Sequence, residues 1–139
     1  MNCFIYPPNT LKKYKYAVTL SFYHGKLLLS RHKDRNTWET QGGHIEDGET
    51  PEQAAVRELQ EESGAILFTI HPVCDYAAGE GALANGMMFA AIIEELGPMP
   101  ENEMAEVGLF DMLPEHLTYP GITPVLYQYY VEQLALQKV

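Results

Sequence analysis

Short apolar blocks, broken by Gly, Pro and clusters of polar residues, run the length of this chain. Residues 16–23 (YAVTLSFY) read as a strand, His24-Gly25 as a turn, and 26–31 (KLLLSR) as a second strand. A polar loop from His32 to Asn36 follows. Trp38-Glu39-Thr40 then leads into Gln41-Gly42-Gly43, expected to be a turn where the backbone approaches a ligand closely. Residues 66–70 and 73–77 are expected strands and 79–86 a flexible connection. Residues 87–95 are short and continuously apolar up to Ile93, which favours a buried strand over a helix. A loop at 97–102, a short strand at 107–110 and a turn or short helix at 111–117 complete the strand-rich part. Two segments carry helix signals. Thr50 is a good N-cap, Pro51 suits the first helical position, Gln53 completes a capping box and Gly64 is a natural stop, so a helix is predicted over about 51–63. Thr123-Pro124 opens a last helix to about 136, with Val125, Tyr129 and Leu134 facing inward. Mixed strands with two substantial helices predict α/β layers, with helices on both sides of a sheet.

The helix at 51–63 carries the chemistry. With about 100° of rotation per residue, Ala55, Val56, Leu59 and Ser63 share one face, and Glu58, Glu61 and Glu62 share the next. Residues three and four apart are neighbours on a helix, so these carboxylates form one stripe. Glu49 stands just before the helix. Four converging carboxylates repel one another without a cation, and hard divalent ions such as Mg²⁺ take oxygen ligands alongside waters and substrate phosphates. An acidic stripe is most often a solvated face. Three features weigh against that here: Arg57 sits at pairing distance among the acids, the glycine pair precedes the helix, and Glu49 lies outside the stripe.

The same residues carry a family resemblance. The stretch resembles the Nudix box, G-x5-E-x7-R-E-U-x-E-E-x-G-U, through Gly43, Glu49, Arg57, Glu58, Leu59, Glu61, Glu62 and Gly64, all at the required spacings. It departs at Ala65, small but still apolar, and at Gln41, which stands where many members have proline. The resemblance implies a single catalytic domain over residues 1–139, an α/β/α sandwich with a mixed sheet, and Mg²⁺- or Mn²⁺-dependent hydrolysis of a phosphoanhydride. Carried over residue by residue, it makes Glu58, Glu61 and Glu62 the metal ligands, with the Gly43 carbonyl a further one. Glu58 or Glu61 is the base, and Glu49 and Arg57 orient the acids. Outside the box, Glu103, ahead of Glu106, is the candidate for a further metal ligand, and Arg31 is a candidate phosphate contact. The short chain is similar to MutT-like nucleoside triphosphate pyrophosphohydrolases. Trp38-Glu39-Thr40-Gln41-Gly42-Gly43 and Thr118-Tyr119-Pro120 resemble the 8-oxo-dGTP diphosphatase-like bacterial branch. ADP-ribose or a nucleotide sugar is the enzymic alternative, and a non-catalytic, nucleotide-binding regulatory domain is the alternative of another class.

Composition narrows the partners. A formal net charge of −10 argues against a polynucleotide, whose phosphates need a positive surface, but not against a small nucleotide that arrives with its own cations. The absence of any long apolar run or hydrophobic signal core leads to the expectation of a cytoplasmic protein with no membrane contact. The two cysteines, Cys3 and Cys74, support neither a disulfide framework nor a zinc site. Five histidines form no ligand cluster, and no D-x-D-x-D-G calcium loop occurs. Tyr16, Phe22, Tyr76 and Phe89 are aromatics able to stack on a base, although strand aromatics are mostly core. Monomer and homodimer are both left open.

Overall fold

The computed structural model describes residues 1–137. In chain order the elements are β1 (Asn2–Tyr6), β2 (Tyr16–Tyr23), β3 (Lys26–His32), β4 (Trp38–Glu39), β5 (Gln41–His44), α1 (Pro51–Ser63), β6 (Ala65–Gly79), β7 (Ala84–Leu96), β8 (Met104–Phe110) and α2 (Thr123–Gln137). The strands form one eight-stranded mixed sheet ordered β1-β6-β7-β2-β3-β4, with β5 paired to β2 and β8 to β3. A parallel pairing joins β2 to β7 along the middle of the sheet.

Side chains alternate between the two faces of the sheet, as the strand period requires. Ala17, Met87 and Phe89 pack under Ala54 and Ala55, and Leu28, Ala91 and Ile93 pack under Leu59, so α1 covers one face. Leu20, Leu27, Leu29, Met88 and Ala90 point the other way and meet Leu126 and Tyr130 of α2. This is the expected α/β/α sandwich.

The predicted bounds of α1 hold because its signals are local. The Thr50 side chain accepts from the Gln53 N–H, the Gln53 side chain reaches back to Thr50, and Gly64 stops the helix at φ +80°. Its inward face is Ala54, Ala55, Leu59 and Ser63: Ala54 joins the expected Ala55, Leu59 and Ser63, while Val56, expected inward, sits half-buried at the edge. The inward face of α2 is likewise Thr123, Leu126 and Tyr130, while Val125 and Leu134 are exposed. Tyr129 packs only at the core's margin. Helix α2 carries large apolar residues on every side, so its pattern does not fix its rotation.

Other departures come from long-range pairing. Gln41-Gly42-Gly43-His44 is not a turn but a strand, registered against β2 from Thr19↔Gln41 to Tyr16↔His44. Segments 66–70 and 73–77 join as one strand, β6, broken only by bulge-type irregularities, and most of 79–86 is absorbed into the β6–β7 hairpin. Strand β8 begins three residues earlier than expected, at Met104. Strand β1, unannounced in the sequence, adds to the edge of β6.

The segment between β1 and β2 is pinned at one point. Asp75 of β6 is wholly buried and accepts hydrogen bonds from the backbone N–H groups of Asn9 (3.2 Å), Thr10 (2.9 Å) and Leu11 (2.9 Å) and from the Tyr14 hydroxyl (2.6 Å). Burying a carboxylate this deeply is tolerable only with such a full set of donors.

Candidate active site

Arg57 is the centre of the acidic cluster. Its Nε and Nη2 donate to the two oxygens of Glu49 at 2.8 and 2.9 Å, and its Nη1 donates to Glu58 Oε1 at 2.9 Å. Nη2 also donates to the His44 carbonyl, tying the helix to the end of β5. Glu61 Oε2 lies 3.6 Å from Nη1 and Glu46 Oε1 3.8 Å from Nη2. A planar guanidinium suits this two-pronged grip on a carboxylate. The Arg57 hydrogen bonds, helped by the Glu46 N–H, hold the Glu49 carboxyl down to about 2. The same partners push the arginine further above its ordinary range.

Glu58 and Glu62 face the glycine strand. The Gly42 N–H donates to Glu62 Oε1 at 2.7 Å. Burial pushes the Glu62 carboxyl up to about 8, with repulsion from Glu58, Glu39 and Glu61 adding to it and the Gly42 N–H opposing it. Burial also raises Glu58, against the pull of Arg57. A Cβ on Gly43 would stand 2.7 Å from Glu58 Oε1, and one on Gly42 would stand 2.6 Å from the Ala17 carbonyl. Close backbone approach was the expected role of these glycines. What they approach is α1 on one side and β2 on the other.

Gln41 explains how the glycine strand is held. It is wholly buried where β2 leaves β5 and turns to pair with β3. Ser21 donates to its Oε1 at 2.6 Å, and its Nε2 donates to Ser30 Oγ at 2.9 Å and, at 3.3 Å, to the Leu28 carbonyl. Ser30 in turn donates to the Glu62 carbonyl at 2.7 Å. A chain of hydrogen bonds thus runs from β2 through β5 and β3 to the end of α1. A proline at position 41 would have none of these bonds.

The two candidates outside the box lie together, apart from this cluster's core. Glu103 is exposed, with Oε2 3.7 Å from His32 Nε2. Its neighbour Asn102 donates to the Glu61 carbonyl, which brings the acidic loop against the end of α1. Arg31 Nε donates to Glu106 Oε1 at 2.8 Å, and its Nη1 donates to the Arg35 carbonyl at 3.0 Å.

On the α2 face of the sheet, beside Gly42 and Gly43, opens a cavity of about 520 Å³. Its walls include Lys15, Tyr16, Glu39, His44, Tyr76 and Tyr119. Tyr16 and His44 rings lie 4.7 Å apart, and Lys15 Nζ sits 5.5 Å from the Tyr16 ring centre. Of the four aromatics able to stack on a base, Tyr16 and Tyr76 line this cavity; Phe22 stacks on Tyr130 and Phe89 is buried under α1. Sequence reasoning passed over Glu39 as a site residue. Its one signal was an acid next to Trp38, three residues before the first glycine.

With this geometry in hand, comparison with known proteins is decisive. The profile of the NUDIX domain matches residues 13–112. The chain belongs to the NUDIX family. Among NUDIX relatives, YtkD of Bacillus subtilis (strain 168), provisionally described as an 8-oxo-dGTP diphosphatase, is 33% identical over 106 residues, covering 75% of this chain and 66% of that protein. The oxidized purine nucleoside triphosphate hydrolase of Danio rerio is 37% identical over 86 residues, covering 58% of this chain and 55% of that one. The chain therefore spans two thirds or less of these relatives' lengths. Among solved structures, a mutant of the Bacillus subtilis pyrophosphohydrolase BsRppH superposes with a TM-score of 0.79 at 24% identity, covering 94% of this chain and 90% of the other. The NUDIX domain of Shewanella oneidensis NrtR complexed with ADP ribose gives 0.71 at 18% identity, covering 93% and 94%. At these identities the two structures establish a shared fold.

Helix α1 and strand β5 together offer an oxygen-only set of candidate donors: Glu58, Glu61, Glu62 and the Gly43 carbonyl. Among the described residues, no three acidic or imidazole side chains close around a point as they stand, and Arg57 holds one Glu58 oxygen. The chemistry nonetheless fits a hard divalent cation. Glu58 and Glu62 are acids whose ionised forms burial opposes, and a cation beside them would favour those forms. No described helix is long and apolar enough to cross a membrane.

Proposed function

We propose that this NUDIX protein is a MutT-like hydrolase that cleaves a phosphoanhydride of a nucleoside triphosphate, giving the monophosphate and pyrophosphate, with Mg²⁺ or Mn²⁺ as cofactor. The observation that carries the reading is the Arg57-ordered set of carboxylates, packed against Gly42 and Gly43, two glycines that also line a cavity large enough for a nucleoside. Glu58, Glu61, Glu62 and the Gly43 carbonyl would hold the cation, with Glu103 the candidate to join them from the neighbouring loop. When bound, the cation neutralises phosphate oxygens and lowers the pKa of water.

The chain's own residues do the rest. Arg57 and Glu49 fix Glu58 in place, and their mutual charge satisfaction keeps both from binding the phosphates directly. Glu61 is half exposed and held only loosely by Arg57, so it is the acid freest to take the proton from an attacking water, with Glu58 the other candidate base. Water's oxygen bonds to phosphorus, the P–O–P bridge breaks, and the pyrophosphate leaves with the bridging oxygen. Arg31 serves a phosphate only by giving up Glu106.

The named relatives support the triphosphate reading: one is described as acting on 8-oxo-dGTP, the other on oxidised purine nucleoside triphosphates. The test is a Mg²⁺-dependent screen of product release over nucleoside triphosphates, oxidised triphosphates, 5′-triphosphorylated RNA, ADP-ribose and nucleotide sugars. Cleavage of free triphosphates to monophosphate and pyrophosphate is expected. Brisk cleavage of ADP-ribose alone would replace the reading with a nucleotide-sugar pyrophosphatase, and binding without cleavage would replace it with a regulatory domain.

A further inference from the structure

Glu62 is placed by a different device from its neighbours. Arg57 grips Glu49 and Glu58 and lies 3.6 Å from Glu61, but among the described residues no cation pairs with Glu62. The Glu62 carboxylate takes the Gly42 N–H on Oε1 at 2.7 Å, and no donor among the described residues reaches Oε2. Its backbone carbonyl, one of the last four of the helix and so without a partner inside it, accepts from Ser30 Oγ at 2.7 Å. Ser30 Oγ in turn accepts, at 2.9 Å, from the side-chain amide of Gln41, the residue next to Gly42. The circuit therefore closes. It runs from the Glu62 carboxylate to Gly42, along one peptide bond to Gln41, through that side chain to Ser30, and back to the Glu62 carbonyl. A carbonyl only accepts, so Ser30 must donate to Glu62 and accept from Gln41 Nε2, which leaves Gln41 Oε1 facing Ser21, its donor at 2.6 Å. One direction of hydrogen bonding thus satisfies the whole ring. Ser21, Ser30 and Gln41 are wholly buried, so bulk water does not compete for these bonds.

We propose that Gln41 and Ser30 are positioning residues, which hold Glu62 of α1 at a fixed distance from the Gly43 carbonyl of β5 and so set two candidate ligands from different elements around one divalent cation. They touch neither substrate nor cation, and their effect passes through Glu62. Ionised acids on α1 repel one another, and in the metal-free protein that repulsion favours turning Glu62 out toward solvent. The ring opposes this at both ends of the residue. It fixes the main chain through the carbonyl and one carboxylate oxygen through Gly42, and it leaves the other oxygen free. A ligand held in place before the ion arrives loses less freedom on binding. A proline at position 41 could not close this ring, so the device belongs to the glutamine.

The proposal rests on the metal-dependent hydrolase reading of this site, so its test follows the ion apart from turnover. Mn²⁺ alone is titrated into the metal-free protein by calorimetry. Ser30→Ala opens the ring by removing a single oxygen, and it should weaken Mn²⁺ binding by about tenfold or more, as is usual when a group that orients a metal ligand is lost. Gln41→Leu should do the same. Ser21→Ala is the control for a merely structural role. It too removes a buried hydrogen bond and should lower Tm, but Ser21 lies off the circuit, so Mn²⁺ affinity should stay within about threefold of wild type. In a Glu62→Gln background, Ser30→Ala should change Mn²⁺ affinity by less than about threefold, because its route to the ion is gone. Unchanged affinity in Ser30→Ala, an equal loss in Ser21→Ala, or the full loss persisting in the Glu62→Gln background overturns the proposal. If Gln41→Leu disrupts folding, Ser30→Ala carries the test. Wild-type protein that binds no Mn²⁺ overturns the proposal and the metal-dependent reading together. Ring-dependent affinity without cleavage of any nucleotide would sink only the hydrolase reading; metal-dependent cleavage with ring-independent affinity would sink only the proposal.

Discussion

Replacing Gly43 with alanine should separate the chemistry of this site from the stability of the fold. The new Cβ would lie 2.7 Å from Glu58 Oε1, where ordinary contact begins at 3.4 Å, so the carboxylate must retreat by the difference, about 0.7 Å. It can, because it is the far end of a flexible side chain. The cost is the 2.9 Å hydrogen bond from Arg57. For a partly exposed pair that is at most about 1 kcal/mol, and reducing the freedom of the unfolded chain returns about 0.4–1 kcal/mol, since Gly43 does not sit at positive φ. The net change should stay within about 1 kcal/mol, or roughly 4 °C in Tm for a chain of this size. Turnover is another matter: misplacing a catalytic group by about 1 Å costs on the order of a hundredfold in rate. Gly42→Ala is the contrast. There the Cβ meets the Ala17 carbonyl at 2.6 Å and Val18 Cα at 2.8 Å, backbone that cannot step aside, and overpacking of this kind costs about 1–3 kcal/mol or more. Thermal melts of the metal-free proteins, with kcat measured on the triphosphate the wild type cleaves best, decide the matter. Wild-type turnover in Gly43→Ala would refute the need for a fixed Glu58. Equal destabilisation by both substitutions would refute the claim that one glycine serves the site and the other the sheet.

Burial raises Glu62 from the ordinary 4.5 to about 8, so the folded metal-free protein binds a proton that the unfolded chain releases; stability should fall as pH rises through that window. Glu62→Gln should remove most of that slope in EDTA, a difference on the order of 2 kcal/mol at pH 8 once water penetration is allowed for, and an unchanged slope in pH-dependent melts would count against the burial account. Mg²⁺ or Mn²⁺ should raise Tm by mass action, and the rise should shrink in the Glu58→Gln, Glu62→Gln double variant; equal shifts would place the ions elsewhere on this acidic surface. Glu61→Gln and Glu62→Gln should each lose several orders of magnitude in turnover with the fold intact, as circular dichroism would verify. Hydrolysis of a triphosphate in ¹⁸O-labelled water, read by mass spectrometry, should show monophosphate and pyrophosphate as primary products, whereas orthophosphate would defeat the proposed bond.

What was legible in the sequence was local. Thr50, Gln53 and Gly64 state the limits of α1 within a few residues of where they act, and Glu58, Glu61 and Glu62 fall together because helix spacing is fixed. Arg57 could be foreseen as a partner of Glu49 or Glu61, and the structure uses it chiefly for Glu49 and Glu58. What was hidden depends on distant partners. Two glycines have poor strand propensity, so only pairing with β2 makes β5 a strand. Gln41 looked like a departure at a turn, because its partners Ser21 and Ser30 lie in other strands. Glu39 shows no pattern of its own until β4 pairs it with Ser30.

The anchorage of Asp75 has a consequence in time. Its four donors, at Asn9, Thr10, Leu11 and Tyr14, stand between 61 and 66 residues away along the chain, and β1 pairs with the same strand. Closing so long a loop has an entropic cost that nearby contacts avoid, so distant pairings form slowly and late. The β6–β7 hairpin, by contrast, is built from neighbours in sequence. During synthesis residues 2–14 are made about sixty residues ahead of the strand that binds them. By the same loop-closure argument this edge segment docks after the β6–β7 hairpin to which it adds.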